Sequence, residues 1–246
     1  GVLHADNYSG IQADVAVFYG LAGNLKQLMR DYLAAGKTTI FFDLGYWGRH
    51  DTGRYTGYHR VVVNGLHTRL EDKAYPRTRL KQFDIKIAAS PPIGDCIVLA
   101  GQSAKAAWVY DLQPEEWEKI AVDELRQRSQ LPIYYHPKSS WRDARPLEGT
   151  IYWPGPIDEL LERAWALVTH HSNSSLAALA RGVPVFMADG IAKRCALESL
   201  NSIDQPYYPS VDQVENLLAG AACWQWRVDE IARGGLWEFL KSEGKV

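Results

Sequence analysis

Short apolar runs alternate with helical spacings along most of this chain. Asp14 to Tyr19 (DVAVFY) predicts a strand, Gly20 to Gly23 a tight turn, and Leu25, Leu28, Met29, Tyr32 and Leu33 the buried face of a helix. Asn24 stands where a helix N-cap belongs, and Gly36 where the helix ends. Thr38 to Asp43 (TTIFFD) and Arg60 to Val63 predict two further strands, joined by a loop rich in Gly, Tyr and Arg over residues 44–58. Residues 64–94 are polar and irregular, apart from a strand expected near Asp84 to Ala88. Pro91-Pro92-Ile93-Gly94 interrupts the pattern, and we place a domain boundary there, between halves 1–93 and 94–246.

The second half restarts the alternation. Cys96 to Ala100 (CIVLA) predicts a strand, Gly101 to Ser103 a turn, Glu115 to Ser129 a helix and Leu131 to Tyr135 a strand. Gly149 to Trp153 is a short strand and Ile157 to Trp165 a helix. Residues 167–190, LVTHHSNSSLAALARGVPVFMADG, then run as a buried strand, a polar turn from His170 to Ser174, a helix rich in small residues, and a second buried strand. Two more helices follow, Val211 to Ala221 behind Ser210, and Val228 to Leu240 with Trp237 and Phe239 as aromatic anchors. Strand-helix alternation throughout implies α/β layers with mainly parallel sheets.

Composition narrows the partners more than the fold. A net charge of −2 gives no global basic field of the kind that draws nucleic acid. The three cysteines, Cys96, Cys195 and Cys223, are too few and scattered for a disulfide framework or a zinc site, and fit core thiols in a reducing compartment. No apolar run approaches the ~20 residues of a membrane span. The opening residues GVLHADNYSG lack a signal-peptide profile, and the missing Met suggests loss of a leading residue or segment. A cytoplasmic location is therefore expected.

The polar turn is the most chemically pointed feature. Helix starts present unpaired N–H groups and the positive end of the helix dipole, which suits an anion such as a phosphate. One Ser or Asn would suffice as a cap, whereas His170 and His171 here precede Ser172, Asn173, Ser174 and Ser175.

The stretch 167–190 resembles the nucleotide-sugar half of GT-B glycosyltransferases, in particular the branch with capsule sugar (Kdo-type) transferases and glycerophosphotransferases. A strand, a Ser/Asn-rich turn and a helix ending in a Gly-x-Pro-Val strand occur there in the same order. IYYHPK, residues 133–138, matches a second element of that branch, a strand ending in His-Pro beside a basic residue. The likeness covers roughly residues 95–240, and the tail CWQWRVDEIARGGLW is similar to phage-encoded relatives. The implied architecture is a compact GT-B-like one, with two Rossmann-like halves. The implied activity is glycosyl transfer from a nucleotide sugar, a co-substrate, with no other cofactor.

Under that resemblance the second half would bind the donor. His171, Ser172, Asn173, Ser174 and Ser175 would hold its phosphates or ribose. His136 and Lys138, flanking Pro137 at a strand's carboxyl end, would contact a phosphate. Gly101, Gln102 and Ser103, with Lys105 nearby, occupy the place of a first phosphate loop, although GQS falls short of a Gly-rich fingerprint and serves equally as a plain turn. The first half would bind the acceptor. Transfer to a hydroxyl needs a base. Asp43, ending an apolar strand, is the first candidate, followed by Asp51, His50 and His59; the alternative for Asp43 is local capping of the loop. Tyr46, Trp47, Arg49, Arg54, Arg77 and Arg79 belong to a locally basic, aromatic segment suited to an anionic acceptor, or to a solvated surface. No Asp-x-Asp motif calls for a metal ion.

Two acceptors differ in kind: DNA carrying a hydroxymethylated base, and a capsule or lipid-linked glycan. A non-catalytic nucleotide-sugar-binding module and a sugar-nucleotide 2-epimerase are further alternatives. Sugar, nucleotide, anomeric outcome and oligomeric state stay open.

Overall fold

The computed structural model describes residues 8–49, 57–138 and 144–246. In chain order its elements are β1 (Val15–Tyr19), α1 (Leu25–Ala34), β2 (Thr38–Leu44), β3 (Tyr58–Val63), β4 (Cys96–Ala100), α2 (Ala104–Val109), α3 (Glu116–Arg128), β5 (Ile133–His136) and β6 (Ile151–Tyr152). They continue with α4 (Ile157–Leu161), β7 (Ala164–Thr169), α5 (Ser174–Ala180), β8 (Val185–Met187), α6 (Val211–Cys223), β9 (Gln225–Arg227), α7 (Val228–Ala232) and α8 (Gly235–Ser242). The chain divides into two compact units. Unit 1 joins Gly1–Arg69, Tyr75–Phe83 and Ala219–Val246; unit 2 joins Leu70–Ala74 and Asp84–Leu218.

Unit 1 holds a four-stranded sheet in the order β1-β2-β3-β9. Only β1 and β2 run parallel; β3 is antiparallel to both β2 and β9. The expectation of mainly parallel sheets in both halves is corrected here. A parallel return needs a crossover of a dozen or more residues, usually a helix. The segment between β2 and β3 carries no helical pattern, and its described part, Gly45 to Arg49, is a loop. Helix α1 buries Leu28, Met29 and Tyr32, and Phe18 packs on Phe41 with ring centroids 5.5 Å apart. The tail contributes Trp224 and Trp226, which pack on Phe239 of α8 at 5.1 and 5.5 Å. The single helix expected over Val228 to Leu240 is two, because Gly234 adopts a left-handed φ of 85° that stops α7.

Unit 2 is a wholly parallel five-stranded sheet in the order β6-β5-β4-β7-β8. Central β4 is apolar at every position and buried at every position, as a strand covered on both faces must be. Ile97, Leu99, Leu125, Ile133, Val168 and Phe186 form part of its core. The strand expected near Asp84 to Ala88 does not form; Ala88 instead donates its N–H to the Ala180 carbonyl at 2.7 Å. All three cysteines are free and buried, and burial pushes the Cys96 and Cys195 thiols up to about 11. Among the described residues, no helix is long and apolar enough to cross a membrane.

Candidate functional site

The strand order of unit 2 reverses direction at one place. From β4 the chain moves to β5 and β6 on one side, then crosses to β7 and β8 on the other. In open parallel sheets ligands bind outside the strand carboxyl ends at such a reversal, because the two departing loops separate there. In this sheet that place lies between the loop after β4, which begins at Gly101, and the turn after β7, which begins at His170.

The loop after β4 is shaped by close packing. Gly101 still pairs with β5, donating its N–H to the His136 carbonyl at 2.9 Å. A Cβ at Gly101 would lie 3.0 Å from both Cε2 and the hydroxyl of fully buried Tyr135. This position therefore holds glycine for contact with an aromatic ring, a reason invisible in the motif itself. Gly101→Ala is expected to cost about 1–3 kcal/mol by overpacking, read as a lower denaturant midpoint; an unchanged midpoint would mean that Tyr135 yields freely. Ser103 caps α2, its hydroxyl accepting the Ala106 N–H at 3.3 Å. Lys105 lies on α2. Gln102 is only 4% exposed, and its side-chain amide has no hydrogen-bond partner among the described residues.

The turn after β7 is more self-contained than its sequence suggests. Thr169 Oγ1 donates to the Ala100 carbonyl at 2.9 Å and accepts the Ser172 N–H at 3.2 Å, tying β7 to β4. Ser172 Oγ accepts from the Ser174 N–H at 3.3 Å and from the Ser174 hydroxyl at 2.9 Å. The Ser175 and Leu176 N–H groups bond to the Ser172 and Asn173 carbonyls. Ser175 is fully buried, and its hydroxyl also donates to the Ser172 carbonyl. Much of the expected donor set at this helix start is thus engaged within the turn. His171, Ser172, Asn173 and Ser174 are half-buried.

Beside this turn stands a group of rings. His170 and His171 bring their Nδ1 atoms to 2.9 Å, so one donates and the other accepts. Tyr110 packs on His170 at 4.4 Å and stacks on His171 at 5.4 Å, while its hydroxyl donates to Asp189 at 2.8 Å. Trp117 meets His170 edge-on at 5.5 Å. Burial lowers the pKa of His170, against the opposing pull of Asp189. Across the sheet, His136 Nδ1 lies 3.2 Å from the Trp153 carbonyl, and burial lowers its pKa as well. Lys138 is exposed. Gln102, His170, His171 and Asp189 thus follow the carboxyl ends of β4, β7 and β8, and His136 ends β5. Tyr110, Trp117 and Asp189 carry no local motif; only long-range packing brings them to the turn.

Behind the loop after β4 lies Glu118 of α3, with no solvent exposure. Its Oε1 accepts the Gln102 N–H at 2.7 Å, and its Oε2 has no partner among the described residues. The Tyr135 hydroxyl also lacks one. Burial raises the Glu118 pKa above its ordinary value, against the Gln102 N–H bond that favours the carboxylate.

The sequence-derived acceptor residues belong to unit 1. Asp43 Oδ2 accepts from Arg60 Nη2 at 2.7 Å, and its Oδ1 accepts the Leu44 N–H at 2.8 Å. Its side chain is 38% exposed, so it remains reachable. His59 is buried, with Tyr19 edge-on to its ring at 5.6 Å. Gln225 of β9 accepts the N–H groups of Tyr46 and Trp47 through one oxygen, at 2.8 and 3.1 Å. Tyr46 is buried, and Trp47 packs on Phe83 at 5.6 Å. Arg79 is committed to structure: it pairs with Glu230 at 2.9 Å, donates to the Ala222 and Gln225 carbonyls, and sits 4.2 Å over the Trp226 ring. Arg49 and Arg77 are exposed. His50, Asp51 and Arg54 lie outside the described residues. Among the described residues, no three His, Cys, Asp or Glu side chains are grouped to hold a metal ion.

No protein-family model matches the chain, and no curated protein matches it. Two solved structures from Thermosulfurimonas dismutans are similar. One is KpsC, beta Kdo 2,7 transferase, with a TM-score of 0.37 at 14% identity over 67% of this chain and 58% of that one; at that score it carries no weight. The other is KpsC, beta Kdo 2,4 transferase, with a TM-score of 0.50 at 12% identity over 88% of this chain and 85% of that one. At that identity the likeness is one of fold, and it extends over most of both chains.

Proposed function

We propose that this chain is a sugar-nucleotide-dependent glycosyltransferase of compact GT-B-like architecture, with unit 2 holding the donor and unit 1 the acceptor. The observation that carries this is the reversal of strand order between β4 and β7, with Gln102, His136, His171 and Asp189 at or just after the strand carboxyl ends around it. Phosphate oxygens would meet imidazole and N–H donors there, and charge developing on the leaving group would be stabilised by dipoles already in place. In unit 1, Asp43 is the proposed base. The nucleotide sugar is a co-substrate, and the setting is cytoplasmic.

A capsule-type or lipid-linked glycan is the favoured acceptor, because the structure similar over most of the chain is that of a Kdo transferase. DNA with a hydroxymethylated base has no comparable support. Arg79, one of the cations expected to meet DNA phosphates, is engaged with Glu230 and Trp226.

A panel of sugar nucleotides, scored by thermal shift, tests the donor site directly. A ligand at 100 times its Kd adds about 2.7 kcal/mol to the folded state. One donor class is expected to raise the melting temperature, and Ser174→Leu, which puts a bulky apolar group on the turn after β7, to remove that shift while the protein still melts cooperatively. No shift with any sugar nucleotide would refute the proposal. Transfer from the stabilising donor to a glycan primer, and none to hydroxymethylated DNA at low salt, is the expected acceptor result; the reverse would reinstate DNA.

A further inference from the structure

Three buried side chains lie behind the loop after β4 with their hydrogen bonds incomplete. Gln102 comes from the loop after β4, Glu118 from the first turn of α3 and Tyr135 from the middle of β5. They are 4%, 0% and 0% exposed. Unpartnered among the described residues are the Gln102 amide nitrogen and oxygen, Glu118 Oε2 and the Tyr135 hydroxyl. Buried polar groups are nearly always paired, and an unpaired buried charge is the costliest exception.

Proton counting decides how such a group can be satisfied. As a carboxylate, Glu118 would bury a full charge with no cation beside it; the Gln102 N–H and the Gln102 side chain favour that form, and burial opposes it more strongly. As an acid, Glu118 keeps Oε1 as the acceptor for the Gln102 N–H, and Oε2–H becomes a donor with the Gln102 side chain as its neighbour. The other titratable groups acting on this pocket are Glu115, just before α3, and Tyr152, on β6; no cation is among them. Glu115 pairs with Lys119 at 3.6 Å. Burial pushes the Tyr135 hydroxyl up, so it stays neutral.

We propose that Glu118 and Gln102 form one hydrogen-bonded wall behind the loop after β4, beside the neutral Tyr135, in which Glu118 supplies a proton and acts as the positioning residue for that loop. It touches no substrate. Its proton keeps the wall uncharged, so a ligand phosphate in front meets no buried negative charge. This rests on the donor-site reading above. Binding an anion then favours the protonated form, and affinity for the anion falls as rising pH ionises Glu118. The same proton governs stability. Because the fold raises the pKa of Glu118, its contribution is complete below the unfolded value of about 4.3 and is lost as pH rises through the folded value.

Glu118→Gln separates this from ordinary packing, since an amide keeps a donor and an acceptor in the same places and never ionises. Glu118→Gln is expected to melt with wild type at pH 5, and about 2–4 °C above it at pH 8. For the sugar nucleotide that stabilises the wild type, whose esterified phosphates do not titrate in this range, the dissociation constant should rise more steeply from pH 5.5 to 8 in wild type than in Glu118→Gln. The ratio of the two constants is expected to change by about threefold or more. Any titration of His136 and His170 is common to both proteins, so its effect cancels in the ratio. Glu118→Leu, which removes the bond to Gln102, is expected to weaken binding about tenfold. A pH-independent ratio, or a melting difference that does not grow with pH, overturns the proton assignment. Full affinity in a folded Glu118→Leu overturns the positioning role. If wild type binds no sugar nucleotide, the glycosyltransferase proposal and the positioning role fall together, while the melting comparison still decides the proton.

Discussion

Asp43→Asn is expected to lower turnover by ~10²–10⁴-fold, the range that a general base contributes, while the melting temperature falls by less than it does in Arg60→Ala. Asparagine keeps one oxygen to accept from Arg60 or from the Leu44 N–H, so shape and much of the local bonding survive. What it loses is the ability to take a proton. Asp43 is the described base candidate that remains accessible; His59 is buried beneath Tyr19. Steady-state rates at saturating donor, with melting measured on the same preparation, separate the chemical from the structural effect. Near-normal turnover would remove Asp43 from the mechanism and leave the flanking loop as the next place to look. Loss of donor binding in parallel would instead mean that the substitution damaged the protein more broadly.

Arg60→Ala should have the largest effect on stability, about 3–5 kcal/mol, the cost of breaking a mostly buried ion pair, or roughly 6–20 °C in melting temperature. The guanidinium is buried, and burial works against its charge; the Asp43 carboxylate and Tyr46 together more than offset this and raise its pKa. It also donates to the Leu66 carbonyl at 3.3 Å and lies 3.1 Å from His67 Nδ1. Truncation leaves those groups short of a donor and opens space beside Phe41, whose ring lies 5.7 Å from the guanidinium carbon. Asp43 is more exposed than Arg60, so water can take over part of its partner's role. A variant melting within 2 °C of wild type would show that the pair contributes almost nothing.

Much of the fold was legible along the chain. CIVLA and LVT are apolar without alternation because both faces of those strands are covered, and composition alone announces that. The polar turn before α5 was equally plain, because hydroxyl and amide residues cluster where helices begin. Its hydrogen bonds were not. Ser172 accepts two bonds from Ser174, and Ser175 turns back to the Ser172 carbonyl, so the same residue types serve the turn itself. Residue identity states what a side chain can donate or accept; only the backbone path decides where those groups point.

By itself the sequence determined the α/β class, the parallel alternation of its second half, and the placement of Gln102 and His171 after strands, because periodicity and turn chemistry are local properties. The tertiary structure alone decided the antiparallel turn of the first sheet and the addition of β9 to it, since strand pairing joins residues such as His59 and Trp226 that no local signal connects. It also decided that Gly101 makes room for Tyr135, that Arg79 serves Glu230 and Trp226, and that Glu118 stands buried behind Gln102. Each of these depends on which distant groups share a low-dielectric interior, where an unpaired polar atom is costly and a partner must be found across the fold.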